Sequence, residues 1–121
     1  MKDFSEISKE DIIFKREHFF IIADSFPVSP GHLLIISNCS KTDYFELNKL
    51  EVEELNIMIH KCKEIIEKEH TPDGYNIGMN CGEASGQTVF QFHCHVIPRY
   101  IGDMKNPRGG VRHCVEGKGY Y

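Results

Sequence analysis

The sequence predicts a small α+β protein, built as a mainly antiparallel five-stranded sheet with one long and one short helix. Three observations carry this. Five short segments are rich in Ile, Phe, Val and Tyr, one long stretch repeats its apolar residues at helical spacing, and the early strands are joined by connections too short for helical crossovers. In chain order, the first strand is expected over Ile12 to Lys15, the second over Phe19 to Asp24 and the third over Leu33 to Ile36. Pro27-Val28-Ser29-Pro30-Gly31 forms a rigid loop between the second and third. A short helix is expected around Thr42 to Leu47. The long helix runs from Lys49 to His70, because Val52, Leu55, Ile59, Cys62 and Ile66 recur three and four residues apart and share one face. Asn48 caps it while Glu51 reaches back, and Leu47 with Val52 has hydrophobic-staple spacing. Thr71-Pro72-Asp73-Gly74 stops the helix and turns the chain into a fourth strand, Tyr75 to Cys81. The fifth strand is expected over Val89 to Pro98.

A length of 121 residues suits a single domain, residues 1–121, and 40% hydrophobic with 26% charged residues is an ordinary globular composition. The longest apolar run, Phe19 to Ala23, falls far short of the roughly 18 residues a membrane span requires. No secretory h-region precedes it, so the expected compartment is the cytoplasm, with no membrane partner. Five cysteines without a CxxC pair read as reduced thiols. A net charge of −4 argues against a nucleic-acid partner. In the tail, residues 99–121, Arg99, Lys105, Arg108, Arg112 and Lys118 outnumber Asp103 and Glu116 to give +3, against −7 for residues 1–98. A basic tail on an acidic body suits a small anionic ligand, and a solvated loop has the same charge pattern.

Chemistry concentrates in the last strand. In Val89-Phe90-Gln91-Phe92-His93-Cys94-His95-Val96-Ile97 a period of two puts Gln91, His93 and His95 on one face and Phe90, Phe92, Cys94 and Val96 on the other, core-facing side. Upstream, Asn80 to Thr88 is a glycine-containing loop whose backbone N–H groups suit phosphate oxygens. It is neither GxGxxG nor a Walker loop. An HxH pair on a strand serves as metal ligands, as satisfied core histidines, or as a catalytic pair. The first reading lacks a CxxC, an HExxH or an adjacent carboxylate cluster.

Asn80 through Arg99, NCGEASGQTVFQFHCHVIPR, resembles the signature of the histidine-triad (HIT) nucleotide hydrolases and transferases. Asp24 to Ile36, DSFPVSPGHLLII, is similar to that family's proline-bearing loop and following strand, and the tail Asn106 to Arg112 resembles that of a bacterial branch. The resemblance implies a homodimer joining two sheets and a purine nucleotide substrate, a dinucleoside polyphosphate or a nucleoside phosphoramidate, with no cofactor. It implies that His93 attacks the α-phosphorus to give a nucleotidyl-histidine that water resolves. An imidazole suits this, since one nitrogen is unprotonated near neutral pH while the other holds a proton that a carbonyl can fix. His95 would bind phosphate or assist the leaving group. Asn80, Gln87, Thr88 and the backbone from Gly86 to Val89 match phosphate-binding positions, and Asp24 matches the position that binds ribose hydroxyls.

Two departures stand out. The first triad histidine is Gln91 here, and Ser40 replaces the histidine that commonly ends the stretch after the GHxLII segment. Some bacterial relatives use those two histidines with an N-terminal CxxC to hold zinc, and Ile12 to Lys15 stands where that CxxC would be, so a zinc-free variant is expected. Glutamine hydrogen-bonds but does not shuttle protons near pH 7. The alternative reading is therefore a nucleotide-binding regulatory module with weak catalysis. His32 matches a structural position, His60 and His70 lie on the helix and at its end, and His18 and His113 are expected in loops. Cys94 faces the core and is not expected to be a nucleophile.

Overall fold

The computed structural model describes residues 4–121. Strands β1 (Ile12–Lys15), β2 (Phe19–Ala23), β3 (Leu33–Ser37), β4 (Gly74–Gly78) and β5 (His93–Arg99) form one antiparallel sheet in the order β1-β2-β3-β5-β4. Helix α1 (Lys49–Glu67) crosses one face. Phe19 to Ile22 and Leu33 to Ile36 are buried at every position, so both faces of the central strands are covered. On the helix face, Phe19, Ile21, Ile35, Phe92, Cys94 and Val96 meet Leu55, Met58, Cys62 and Ile66. On the opposite face, Phe20, Ile22, Leu34 and Ile36 are closed over by Phe4, with Ile7, Ile12 and Val89 at the margin. β5 presents His93 and His95 on this second face.

The start of α1 follows its sequence. Asn48 Oδ1 accepts from the Glu51 N–H at 2.9 Å and Glu51 Oε1 accepts from the Asn48 N–H at 2.8 Å, a complete capping box. The helix ends at Glu67 rather than His70, because Lys68 and Glu69 donate to carbonyls three residues back and tighten the last turn. Its buried row is Glu51, Glu54, Leu55, Met58, Cys62 and Ile66, with Val52 and Ile59 half-buried at the flanks. Glu54 is buried because its Oε2 accepts from the N–H groups of His18 and Phe19 at 2.7 and 3.0 Å, which ties the helix to the β1–β2 turn.

Three other boundaries differ from expectation. β4 ends at Gly78, opposite His95. Without that neighbour the chain before His93 has no ladder on one side, so β5 begins at His93 and not at Val89. The Phe92 N–H instead donates to the Lys41 carbonyl at 2.6 Å, and Phe90, expected in the core, is 53% exposed. The short helix expected around Thr42 to Leu47 is a single 3-10 turn, Tyr44–Glu46, capped by Asp43.

β5 leaves the sheet at Arg99, six residues and about 20 Å along the strand from His93. The basic tail spends several of its cations on itself: Arg99 makes a bidentate pair with Asp103, and the Arg108 and Arg112 guanidiniums lie 4.7 and 5.0 Å from the Tyr121 ring. His113 sits in a 3-10 turn, Gly110–Cys114, rather than a plain loop. Among the described residues no helix is long and apolar enough to cross a membrane.

Candidate active site

β5 and the loop between β4 and β5 build the site. The loop leaves the sheet level with His95 and returns at His93, so it wraps the first turn of β5. Its shape is set by a 3-10 turn, Glu83–Ser85, ended by Gly86 in the left-handed region at φ +97°, which a side chain would strain. Gln87, 3% exposed, pins the loop from inside. Its Oε1 accepts from the Gly82 N–H at 2.8 Å, and its Nε2 donates to the carbonyls of Thr42 at 2.7 Å and Val89 at 3.1 Å. Thr88 and Asn80 are exposed on the same loop. Among the described residues the Thr88 and Val89 N–H groups meet no acceptor, whereas those of Gly82, Ser85, Gly86 and Gln87 are all bonded within the loop. The structure thus gives Gln87 and Gly86 shape-holding contacts, and the Thr88 and Val89 amides are two adjacent ones among those of the loop that meet no acceptor among the described residues.

His93 is 6% exposed, with the Phe4 ring edge-on at 5.0 Å. Its Nδ1 lies 2.9 Å from the Gln91 carbonyl oxygen. A carbonyl only accepts, so Nδ1 carries the proton and Nε2 of the neutral ring holds a lone pair. The Gln91 side chain turns away, its Nε2 donating to the Ser37 carbonyl at 2.6 Å. With that amide committed, Ser40 exposed and β1 standing where a CxxC would be, these positions do not fit a zinc ion.

His95 stands two residues along, its ring centroid 5.5 Å from that of His93. Behind it are two buried groups, one directly after β2 and one directly before β3. His32 Nε2 lies 3.0 Å from His95 Nδ1 and 3.3 Å from Asp24 Oδ2, and that oxygen lies 3.7 Å from His95 Nδ1. Asp24 Oδ1 accepts from the Phe26 N–H at 2.9 Å. Both Asp24 oxygens are therefore engaged within the protein, so a ribose role for this residue rests on resemblance alone. Burial pushes the pKa of His95 down to about 4, aided by the neighbouring rings of His32 and His93 and opposed by Asp24. Burial also lowers His32, against the pull of Asp24. Both rings are neutral at pH 7.

A point about 2 Å from all three of these atoms exists, the spacing of a two-histidine, one-carboxylate metal site. The hydrogen bonds oppose that use. The Val28 N–H donates to His32 Nδ1 at 3.2 Å, and a metal on Nε2 would place the ring proton on Nδ1, donor against donor.

Sequence reasoning treated His32 as structural, and the structure joins it to His95. A signal was present: the period of two places His32 on the face shared by Leu34 and Ile36, and Asp24 on that of Phe20 and Ile22. The contacts of Phe4, of the Ser37 carbonyl and of the Val28 amide had no local signal. Cys94 is buried, its thiol pushed up to about 12 by desolvation, as its core-facing position implied.

A small antiparallel α+β sheet bearing a buried, carbonyl-held imidazole beside a second, half-buried one, wrapped by a glycine loop, defines the class of protein. The HIT domain family model matches residues 5–102, and the chain belongs to that family. It is 30% identical to a bis(5'-adenosyl)-triphosphatase of Dictyostelium discoideum over 83% of this chain and 67% of that protein. It is 28% identical to an AP-4-A phosphorylase of Mycobacterium tuberculosis over 81% of this chain and 52% of that one, so it spans about half the phosphorylase's length. A crystal structure of a HIT family protein from Bacillus anthracis superposes with TM-score 0.72 at 35% identity, covering 77% of this chain and 66% of the other.

Proposed function

We propose that the protein is a nucleotide hydrolase acting at the α-phosphate of a purine nucleotide conjugate, a dinucleoside polyphosphate or a nucleoside phosphoramidate, through His93. The observation that carries this is the Gln91 carbonyl on His93 Nδ1, which puts the lone pair of the neutral ring on Nε2. In the first step the Nε2–phosphorus bond forms as the bond from phosphorus to the leaving group breaks, and the leaving group takes the electron pair and acquires a proton. In the second, water adds to phosphorus, the Nε2–phosphorus bond breaks, and a nucleoside monophosphate is released. The Thr88 and Val89 amides, with Asn80 and Thr88 at the rim, suit the phosphoryl oxygens. The dinucleotide-directed names of two relatives support the substrate class.

The reading of the protein as a weak, regulatory binder rested on Gln91 in place of histidine. The geometry favours catalysis, because His93 is oriented by the main chain of residue 91 and not by its side chain. We further propose a homodimer through the edge of β4, which pairs with no further strand among the described residues; Ile77 is exposed on β4, and Ile101, Met104 and Val111 are exposed in the segment that follows β5.

Mass spectrometry of protein trapped with diadenosine polyphosphates or adenosine phosphoramidate tests the function. A nucleotidyl adduct is expected on the native chain, with His93→Ala losing it together with more than about a thousandfold of turnover. An active, adduct-forming His93→Ala protein overturns the assignment.

A further inference from the structure

The tail beyond β5 plays no part in the chemistry at His93, yet its packing is closely specified. His113 Nε2 donates to the Arg108 carbonyl at 2.8 Å, and its ring lies against Gly109 and Gly119. A Cβ on Gly119 would overlap that ring, and one on Gly109, which holds φ +98°, would overlap the Gly119 carbonyl. The Tyr120 ring meets the His113 ring edge to face at 4.3 Å. His113 thus pins the chain from Arg108 to Tyr121 into a closed loop.

The loop gathers positive charge. The Arg108 and Arg112 guanidiniums lie 4.7 and 5.0 Å from the centroid of one ring, that of Tyr121, and so stand within about 10 Å of each other. Arg112 is held in place, its Nε and Nη2 donating to the carbonyls of Gly119 and Lys118 at 3.2 and 3.4 Å, which also brings Lys118 alongside. Among the described residues the Arg108 guanidinium donates to no acceptor and pairs with no carboxylate. Contact with a ring face attracts its charge and occupies none of its five N–H donors. From Lys105 to Tyr121 the cationic Lys105, Arg108, Arg112 and Lys118 stand against one acid, Glu116, because Asp103 is already paired with Arg99.

We propose that Arg108 and Arg112, aligned by Tyr121 with Lys118 beside them, bind the phosphate chain of an oligophosphate at a site separate from His93. Guanidinium forks match phosphoryl oxygens, and two forks so placed reward an anion with several phosphoryl groups along its length over one with a single group. The turn Gly110–Cys114 packs against β4, and β5 has run about 20 Å from His93 before the tail begins. An anion held here leaves His93 open to its own substrate. Inorganic oligophosphates and nucleoside triphosphates share this chemistry.

Titration with sodium tripolyphosphate, followed in 1H–15N spectra of the arginine Nε–H groups, tests the site without any need for turnover. The Arg108 and Arg112 signals should shift and saturate, with affinity at least about tenfold above that for orthophosphate, and the affinity should fall as salt is raised. His93→Ala should leave the titration unchanged. Arg108→Gln, which removes a guanidinium bonded to nothing else in the loop, should weaken binding at least about tenfold, and Gly119→Ala, which breaks the loop, should abolish it. Adenosine triphosphate, titrated into His93→Ala, separates the two sources: affinity within about tenfold of tripolyphosphate makes the bare chain the ligand, a tighter fit makes it the nucleotide, and both support the site. Saturation confined to the Thr88 and Val89 amides overturns the proposal, as does equal affinity for orthophosphate or unchanged affinity in Arg108→Gln. If Gly119→Ala does not fold, Arg108→Gln decides. A native chain without turnover would sink the hydrolase reading and leave this result standing.

Discussion

The two faces of the sheet are held by different physics. The helix face is an apolar contact between Phe19, Ile21, Ile35, Cys94 and Val96 and the row of Leu55, Met58, Cys62 and Ile66. Its energy comes from area removed from water, spread over many residues. The histidine face has its own apolar floor, but its chemistry hangs on single hydrogen bonds to backbone groups: the Gln91 carbonyl, the Val28 amide, the Ser37 carbonyl. A loss on the first face is graded and appears as stability. A loss on the second changes which nitrogen carries a proton, and appears as activity.

The sharpest break in that contrast pairs His93→Ala, with its loss of turnover of more than about a thousandfold, against Met58→Ala. Met58 is fully buried at the centre of the helix face. Its truncation should cost about 2–5 kcal/mol in urea unfolding and leave kcat of the folded fraction within about twofold. A large kcat loss in Met58→Ala would show that the faces are coupled.

The next test is pH. His95 has a folded pKa of about 4, below its usual 6.5, and His32 is lowered too. For groups depressed in this way the unfolded chain binds protons that the folded one refuses. Their full contribution is present above about pH 6.5 and is lost as pH falls toward 4. Between pH 7 and pH 5 the His95 share is about 2 kcal/mol, read as a falling urea midpoint. His95→Gln should flatten that fall, and an equal slope in the variant would show that other groups carry it. Met58→Ala should shift the whole curve without altering its shape.

The same division explains what could be read from the sequence. The helix was legible because Leu55, Cys62 and Ile66 repeat at its period and because Asn48 and Glu51 announce the cap. Met58 was missed from that row, and so was the burial of Glu54, a carboxylate that enters the core because the distant amides of His18 and Phe19 receive it. The alternation from Phe90 to Val96 was correct in period and wrong in extent. A strand needs a partner, and β4 stops at Gly78. His93 and His95 were found from their spacing and family signature, while the role of His32 depends on a backbone amide four residues before it and an imidazole 63 residues after it. No local pattern encodes a contact of that range.

The smallest expected effect is the one the sequence made most conspicuous. Gln91 stands where the family pattern has its first histidine, yet its backbone carbonyl, which any residue would supply, is what holds His93. Its side chain does a separate job, donating to the carbonyl of the fully buried Ser37. A histidine ring N–H can donate to the same oxygen, so Gln91→His should leave kcat/KM within about threefold, near 0.7 kcal/mol. Gln91→Leu removes the donor and should cost about 1–3 kcal/mol of stability by leaving that carbonyl unpaired, with the His93 tautomer unchanged in 15N spectra. A gain of a hundredfold in Gln91→His would mean that the imidazole at this position acts on the substrate itself, and the native chain would then be the weak, regulatory binder.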